Sequence, residues 1–188
     1  MVTPHPPQPL TPARTAVLAL DFTDMIVEHY ATDGPAAVGN AATVIEAART
    51  EAAKIVHVLP GGYTSLDATW PAGRPHPTVA PQDGELVLAK ARIGAFSTTG
   101  LDVHLRAEGR DTLVLTGIAT SGVVLSTARA GYDLGYRVVV VDDACSDPDR
   151  SVHEALVRPV HPDSWLGLWR IAEITTAAEI VENLRSEA

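Results

Sequence analysis

Short apolar runs recur along this chain, and each stops on a charged or turn-forming residue. The clearest are Thr15-Ala-Val-Leu-Ala-Leu-Asp21, Lys54-Ile-Val-His-Val-Leu59, Glu85-Leu-Val-Leu-Ala-Lys90, Asp111-Thr-Leu-Val-Leu-Thr-Gly117 and Tyr136-Arg-Val-Val-Val-Val141. A run of this length without polar alternation predicts a strand covered on both faces. Arg170-Ile-Ala-Glu-Ile174 predicts a sixth strand. Between the runs the apolar spacing becomes helical. Ala36 to Ala53 carries Val38, Ala42, Ile45 and Arg49 on such a spacing, the pattern of a helix laid on a sheet. Leu101 to Glu108, Ser121 to Leu134, Asp149 to Val157 and Thr176 to Ser186 predict four more helices. Pro148 stands where a helix start favours proline, and Thr175 or Thr176 supplies an N-cap.

Strands alternating with helices predict an α/β domain, a parallel sheet with helices on both faces. Two stretches fall outside the pattern. Met1 to Pro12 holds five prolines and no basic cluster, so residues 1–13 are expected as a flexible leader and 14–188 as one domain. Tyr63 to Gly84 holds Pro71, Pro75, Pro77 and Pro81 with Trp70, Arg74 and His76 among them. A loop that long is a substrate lid or a subunit-contact loop.

Composition narrows the partners. The 188 residues carry 14 Lys+Arg against 23 Asp+Glu, a net charge of −9. Nucleic acid and anionic membrane both want a basic face, so neither is expected. No apolar run approaches a membrane span. The single cysteine, Cys145, allows no internal disulfide and suits a cytoplasmic protein. The seven histidines show no metal-ligand spacing, and His57, inside a strand run, reads as a core histidine with a partner. Of the basic residues only Lys54 and Lys90 are lysines. A lysine kept at a strand end suggests that a point charge is wanted there.

In an open parallel sheet, ligands bind beyond the carboxyl ends of the strands. Asp21, Lys90 and the bend Gly117-Ile-Ala-Thr-Ser-Gly-Val123 all stand at such ends. From position alone, Asp21 caps a turn or serves chemistry. Taken in order, Asp21, Lys90-Ala-Arg-Ile-Gly-Ala-Phe96, Thr99-Gly-Leu-Asp102, Thr116-Gly-Ile-Ala-Thr-Ser-Gly-Val-Val-Leu-Ser-Thr-Ala-Arg129 and Asp142-Asp-Ala-Cys-Ser-Asp147 resemble the isochorismatase-like hydrolase superfamily.

The resemblance implies a Rossmann-like three-layer sandwich of about six parallel strands. It implies no organic cofactor, a small-molecule substrate and a homodimer or homotetramer; the metal-binding pattern of the family's nicotinamidases is not present, so no metal is expected. It also implies a cis peptide at Ile118–Ala119. In the family's amidases an Asp–Lys–Cys triad cleaves a C–N bond, and carried onto this chain the triad is Asp21, Lys90 and Val123. Valine is no nucleophile, so thiolate acyl transfer at that position is not expected. The isochorismatase branch implies a route without cysteine. There the aspartic acid protonates a vinyl carbon and water adds to the oxocarbenium ion. Elimination or cyclisation through the same pair, in secondary metabolism, is a variant of this route. Thr23 stands where the family usually has Gln.

Candidate substrate contacts are Phe22, Thr23, Phe96, Ile118, Ala119, Thr120, Gly122, Trp70 and Arg92, with backbone N–H donors expected from Ala119 to Val123. Phe22, Tyr30 and Phe96 line a pocket or simply pack. Arg92 meets a substrate carboxylate, Asp102 or a partner subunit. Cys145 is a buried thiol or a relocated nucleophile, and a catalytically silent binding protein is the remaining alternative. Asp142 and Asp143 cap turns or face an interface.

Overall fold

The computed structural model describes residues 8–61, 74–159 and 167–185. The strands are β1 (Thr15–Leu20), β2 (Lys54–Pro60), β3 (Leu86–Lys90), β4 (Thr112–Ile118), β5 (Arg137–Ser146) and β6 (Glu173–Thr175). The helices are α1 (Asp24–His29), α2 (Gly34–Thr50), α3 (Leu101–Ala107), α4 (Leu125–Asp133), α5 (Arg150–Val157) and α6 (Ala177–Arg185). The strands form one parallel sheet in the order β3-β2-β1-β4-β5-β6. The order reverses between β1 and β4, the place where such sheets open a crevice for ligands.

The period-two alternation of each strand splits the core into two layers. Val17, Ala19, Val114 and Val139 face α1, α2 and α6, whereas Leu18, Leu20, Leu115 and Val140 face α3, α4 and α5. Every residue of β1 and β4 is buried, as unbroken apolar runs require. At Gly117 the two strands come so close that a Cβ would stand 2.6 Å from the Leu20 Cβ and carbonyl oxygen. This close contact fixes β1 against β4 one residue before Asp21.

Several boundaries differ from the expected ones. Helix α1 was not foreseen, because six residues are too short for a periodic signal; Thr23 starts it, its hydroxyl accepting from the Ile26 N–H. Strand β5 runs on past Asp142 and Asp143 to Ser146, because a register shift between Leu115 and Gly117 of β4 accommodates the extra length. A 3-10 turn at Leu168–Arg170 replaces the start of the sixth run, and β6 begins at Glu173. Residues 8–13 are not a flexible leader: Leu10 is buried in the core, and Arg137 donates to the carbonyls of Gln8 and Pro9. At the other end, Thr176 N-caps α6 and Glu179 answers it, accepting from the Thr176 N–H.

Candidate active site

Asp21 ends β1 in the left-handed region, at φ 58°. Asp tolerates that conformation better than most residues, but it is uncommon and clusters at functional sites. Its N–H donates to the Val58 carbonyl and its own carbonyl accepts from Thr23, so the turn is fixed on both sides. Lys90 ends β3. Two strand spacings, about 10 Å, lie between β1 and β3, and the Lys90 and Asp21 side chains together close that gap. Its Nζ stands 2.8 Å from Asp21 Oδ2 and donates to the Arg92 carbonyl.

Both residues are buried, Asp21 5% and Lys90 2% exposed. Asp21 Oδ1 finds no hydrogen-bond partner among the described residues. Burial raises the Asp21 pKa and the Lys90 charge and hydrogen bond pull it back; the balance leaves it raised to about 6.

A cavity of about 90 Å³ adjoins the pair, lined by Asp21, Ile26, Tyr30, Lys90, Ile93, Ile118, Ala119 and Val123. That is the room of about three waters. Two of the expected contacts, Ile118 and Ala119, therefore meet at the pair, together with Val123, the expected nucleophile position. The others are placed elsewhere. Phe22 is buried in the core beneath α1 and α2, and Thr23 is spent on its cap. Phe96 packs on Tyr136, ring centroids 5.8 Å apart. Gly122 does not line the cavity. The exposed Arg92 donates to the Ala91 carbonyl, not to Asp102, which holds Arg106 and Tyr136. Trp70 lies outside the described residues. Arg74 and His76 are described: their backbones run beside Phe22 and Asp24, bonded at 3.1 and 2.9 Å.

Sequence reasoning missed Ile26, which sits on the unforeseen α1, and Ile93, an apolar residue in an irregular stretch. It named Tyr30 only as an ambiguous flank of the Asp21 turn.

The peptide Ile118–Ala119 is cis. A wide turn of π type, Thr120–Val124, follows and leads into α4. The N–H donors expected there are partly spent. Ser121 donates to Asp147 Oδ2 at 2.8 Å, and Gly122 and Val124 donate to the Ala119 carbonyl. Thr120 is fully buried and faces away from Asp21, toward α5. A second cavity of about 330 Å³ opens on that side, lined by residues that include Asp142, Asp143, Cys145, Asp147 and His153. Asp143 caps α6 through the Ala177 N–H, whereas Asp142 holds His153 and Arg158.

Cys145 borders this second cavity and not the one that holds Asp21. It is 5% exposed and its thiol donates to the Leu115 carbonyl. Burial pushes the thiol far above its ordinary pKa. His57 is likewise a core residue, with Nε2 2.8 Å from Glu85. Among the described residues no group of three or more His, Cys, Asp or Glu is set to hold a metal ion, and no helix is long and apolar enough to cross a membrane.

Comparison with known proteins follows the same lines. An isochorismatase family protein of Bacillus subtilis (strain 168) is 38% identical over 125 residues, 66% of this chain and 61% of that one. The maleamate amidohydrolase of Pseudomonas putida is 36% identical over 107 residues, 57% of this chain and 47% of that one. The chain thus spans about half to three fifths of the length of these curated relatives. The structure of an isochorismatase family protein from Burkholderia thailandensis superposes with a TM-score of 0.78 at 29% identity, covering 94% of this chain and 98% of that one. The Isochorismatase domain matches residues 15–179, and on that match the chain belongs to the isochorismatase family.

Proposed function

We propose that this chain is a small-molecule hydrolase working through the Asp21–Lys90 pair without a thiolate, on an enol ether or a related activated bond. The observation that carries this reading is the half-satisfied carboxyl of Asp21. One oxygen is held by Lys90, the other is buried, unpartnered and beside a cavity with mostly apolar walls. A carboxyl with a pKa raised to about 6 is matched to giving up a proton near neutral pH.

In this reading the protonated Asp21 gives its proton to the vinyl carbon of the substrate. The oxocarbenium ion that forms is met by water, and the hemiketal collapses to a ketone and an alcohol. The aspartate regains the proton that the water loses. Lys90 holds the carboxyl in place at Oδ2 and keeps a positive charge beside the carboxylate that forms when the proton leaves. Val123 supports the choice over amide cleavage, since it offers no thiol at the cavity, and the buried, basic thiol of Cys145 supports no replacement.

The named amidohydrolase among the relatives keeps a C–N substrate in the test. The panel is amides, ureas and enol ethers, with product formation followed by mass spectrometry for wild type and Asp21→Asn. Conversion of an enol ether by wild type alone is the expected result, and its rate falls as pH rises through about 6 because the acid form is lost. Conversion that survives Asp21→Asn overturns the assignment. Val123, at the position where the resemblance expects a cysteine, also motivates a ligand-binding protein without turnover. Binding of panel compounds with no product at any pH would favour that reading.

A further inference from the structure

The cavity is walled on one side by a turn whose other side is braced. Ala119 and Val123 line the cavity; Thr120, between them, points the opposite way and is completely buried. Its hydroxyl donates to the Ser146 carbonyl at 3.1 Å and stands 2.8 Å from His153 Nδ1. The other ring nitrogen of His153, Nε2, stands 2.8 Å from Asp142 Oδ1, and Asp142 also takes Arg158. A fully buried hydroxyl tied to two elements fixes the backbone that carries it. Here the two elements are β5, through Ser146, and α5, through His153. We infer that His153 is a positioning residue for the Asp21 site, acting through Thr120 on the turn that carries Ala119 and Val123.

This inference rests on the reading of Asp21 as the working acid. It adds how the apolar wall beside that acid is held. A turn that loosens draws the apolar wall back from Asp21 and exposes it to more water, and that weakens the burial that raises its pKa. His153 can brace from outside because it is itself anchored at both ring nitrogens. The Thr120 hydroxyl has one hydrogen to give, to the Ser146 carbonyl or to Nδ1; when it goes to Ser146, the hydroxyl oxygen is left to accept from Nδ1–H, and Nε2 faces Asp142 in either case. The charged groups around it come from every neighbouring element. Asp142 and Asp143 stand on β5 and Asp147 just after it. Arg150 and Glu154 stand on its own helix, with Arg158 beyond and Asp33 ahead of α2.

The test needs no substrate, so its outcome is separate from that of the turnover assay. The Asp21 carboxyl is followed by 13C NMR through a pH titration in full-length protein. Among the described lining residues the other titratable groups facing it are Lys90 and Tyr30. The variants are His153→Ala, Thr120→Val, Thr120→Ser and Glu173→Gln, the last a control that weakens the distant Arg137–Glu173 pair. His153→Ala and Thr120→Val should lower the Asp21 midpoint by about one pH unit, toward the ordinary carboxylate range. Thr120→Ser, which keeps the hydroxyl, should hold it, and so should Glu173→Gln. A midpoint unmoved in both His153→Ala and Thr120→Val overturns the inference. So does a midpoint that falls equally in Glu173→Gln, since general loosening would then account for it. His153 is partly exposed, so its alanine variant stays foldable even if Thr120→Val does not. A midpoint that falls while Asp21→Asn still turns over substrate would retire the acid and leave the brace standing.

Discussion

At the start of β3, Glu85 gathers four donors; at its end, Lys90 meets an aspartate with one. Glu85 takes the Arg49 guanidinium on both oxygens at 2.8 and 3.1 Å, the Gln82 N–H at 2.9 Å and His57 at 2.8 Å. Burial pushes Glu85 up, but Arg49, the Gln82 amide and His57 together outweigh it and hold the pKa at about 2. Asp21 has burial working in the same direction and only Lys90 against it, and comes out at about 6. The chemistry of the two groups is the same, a carboxylate beside a cation in a low-dielectric setting. The number of donors decides the outcome. A saturated carboxylate stays ionised and fastens α2 to the sheet edge. A half-saturated one keeps a lone pair, or a proton, for something that arrives later.

The largest effect should come from removing the cation at the end of β3. Lys90→Met leaves Asp21 buried with no partner, and breaking a buried pair in this way costs about 3–5 kcal/mol. The loss should be strongly pH-dependent. A pKa raised in the folded state contributes stability that is fully present below the ordinary carboxylate value and is lost as pH rises through the folded value. In the wild type that window runs from 3.8 to about 6, and removing Lys90 extends it to higher pH. Urea unfolding should therefore show the full penalty at pH 8 and little or none at pH 5, where the carboxyl is neutral. Equal penalties at both values would mean that Asp21 is not the group left stranded.

Glu85→Gln should do less, and with the opposite pH signature. Hydrogen bonds to a charged group contribute about 1.5–3 kcal/mol, and Arg49 and His57 keep part of theirs to the amide. About 2 kcal/mol of stability should go at pH 7. A depressed pKa contributes stability above the ordinary value that is lost as pH falls through the folded one. The difference between variant and wild type should thus shrink between 4.5 and about 2. The Asp21 titration should not move. If it does, the two ends of β3 are coupled and the contrast between fastener and reagent fails.

Much of this architecture was legible because it repeats along the chain. The apolar runs that became β1, β2, β4 and β5 are largely buried on both faces, as such runs predict; the run that became β3 is not, because β3 is the edge strand and leaves Val87 and Ala89 exposed. The strand ends named Asp21 and Lys90 as neighbours, since a parallel sheet puts all its carboxyl ends on one edge. The motif around Gly117 located the wide turn. What the sequence hid is directional. Phe22 and Thr23 follow Asp21 immediately, but the left-handed turn at Asp21 sends one into the core and the other onto a cap. Thr120 lies between two wall residues and faces the other way. Asp142 and His153 are separated by a loop and a helix turn, and nothing in their spacing says that one Thr hydroxyl joins them to the site. Side-chain direction at bends depends on backbone dihedrals that no hydrophobic period encodes.

The smallest change in stability should attend the most direct probe of the open end. Val123→Cys trades one small buried side chain for another, at a cost of about 1 kcal/mol. It puts a thiol on the wall that faces Asp21 and Lys90. A nearby ammonium favours the thiolate, whereas burial first, and then the charges of Asp142 and Asp143, push the Cys145 thiol up against a single opposing contact from the Gly117 backbone. Native protein treated with iodoacetamide at pH 8 should therefore stay unlabelled in the wild type and take one label in the variant, counted by intact-mass spectrometry. A labelled wild type would show that Cys145 is reachable after all and would revive it as a nucleophile. An unlabelled variant would show that a small neutral electrophile cannot enter, and a carboxyl sealed off from solutes has no substrate to protonate. Only the end of β3 should accept such a probe. Glu85, with both oxygens already taken by donors, leaves no comparable place to put one.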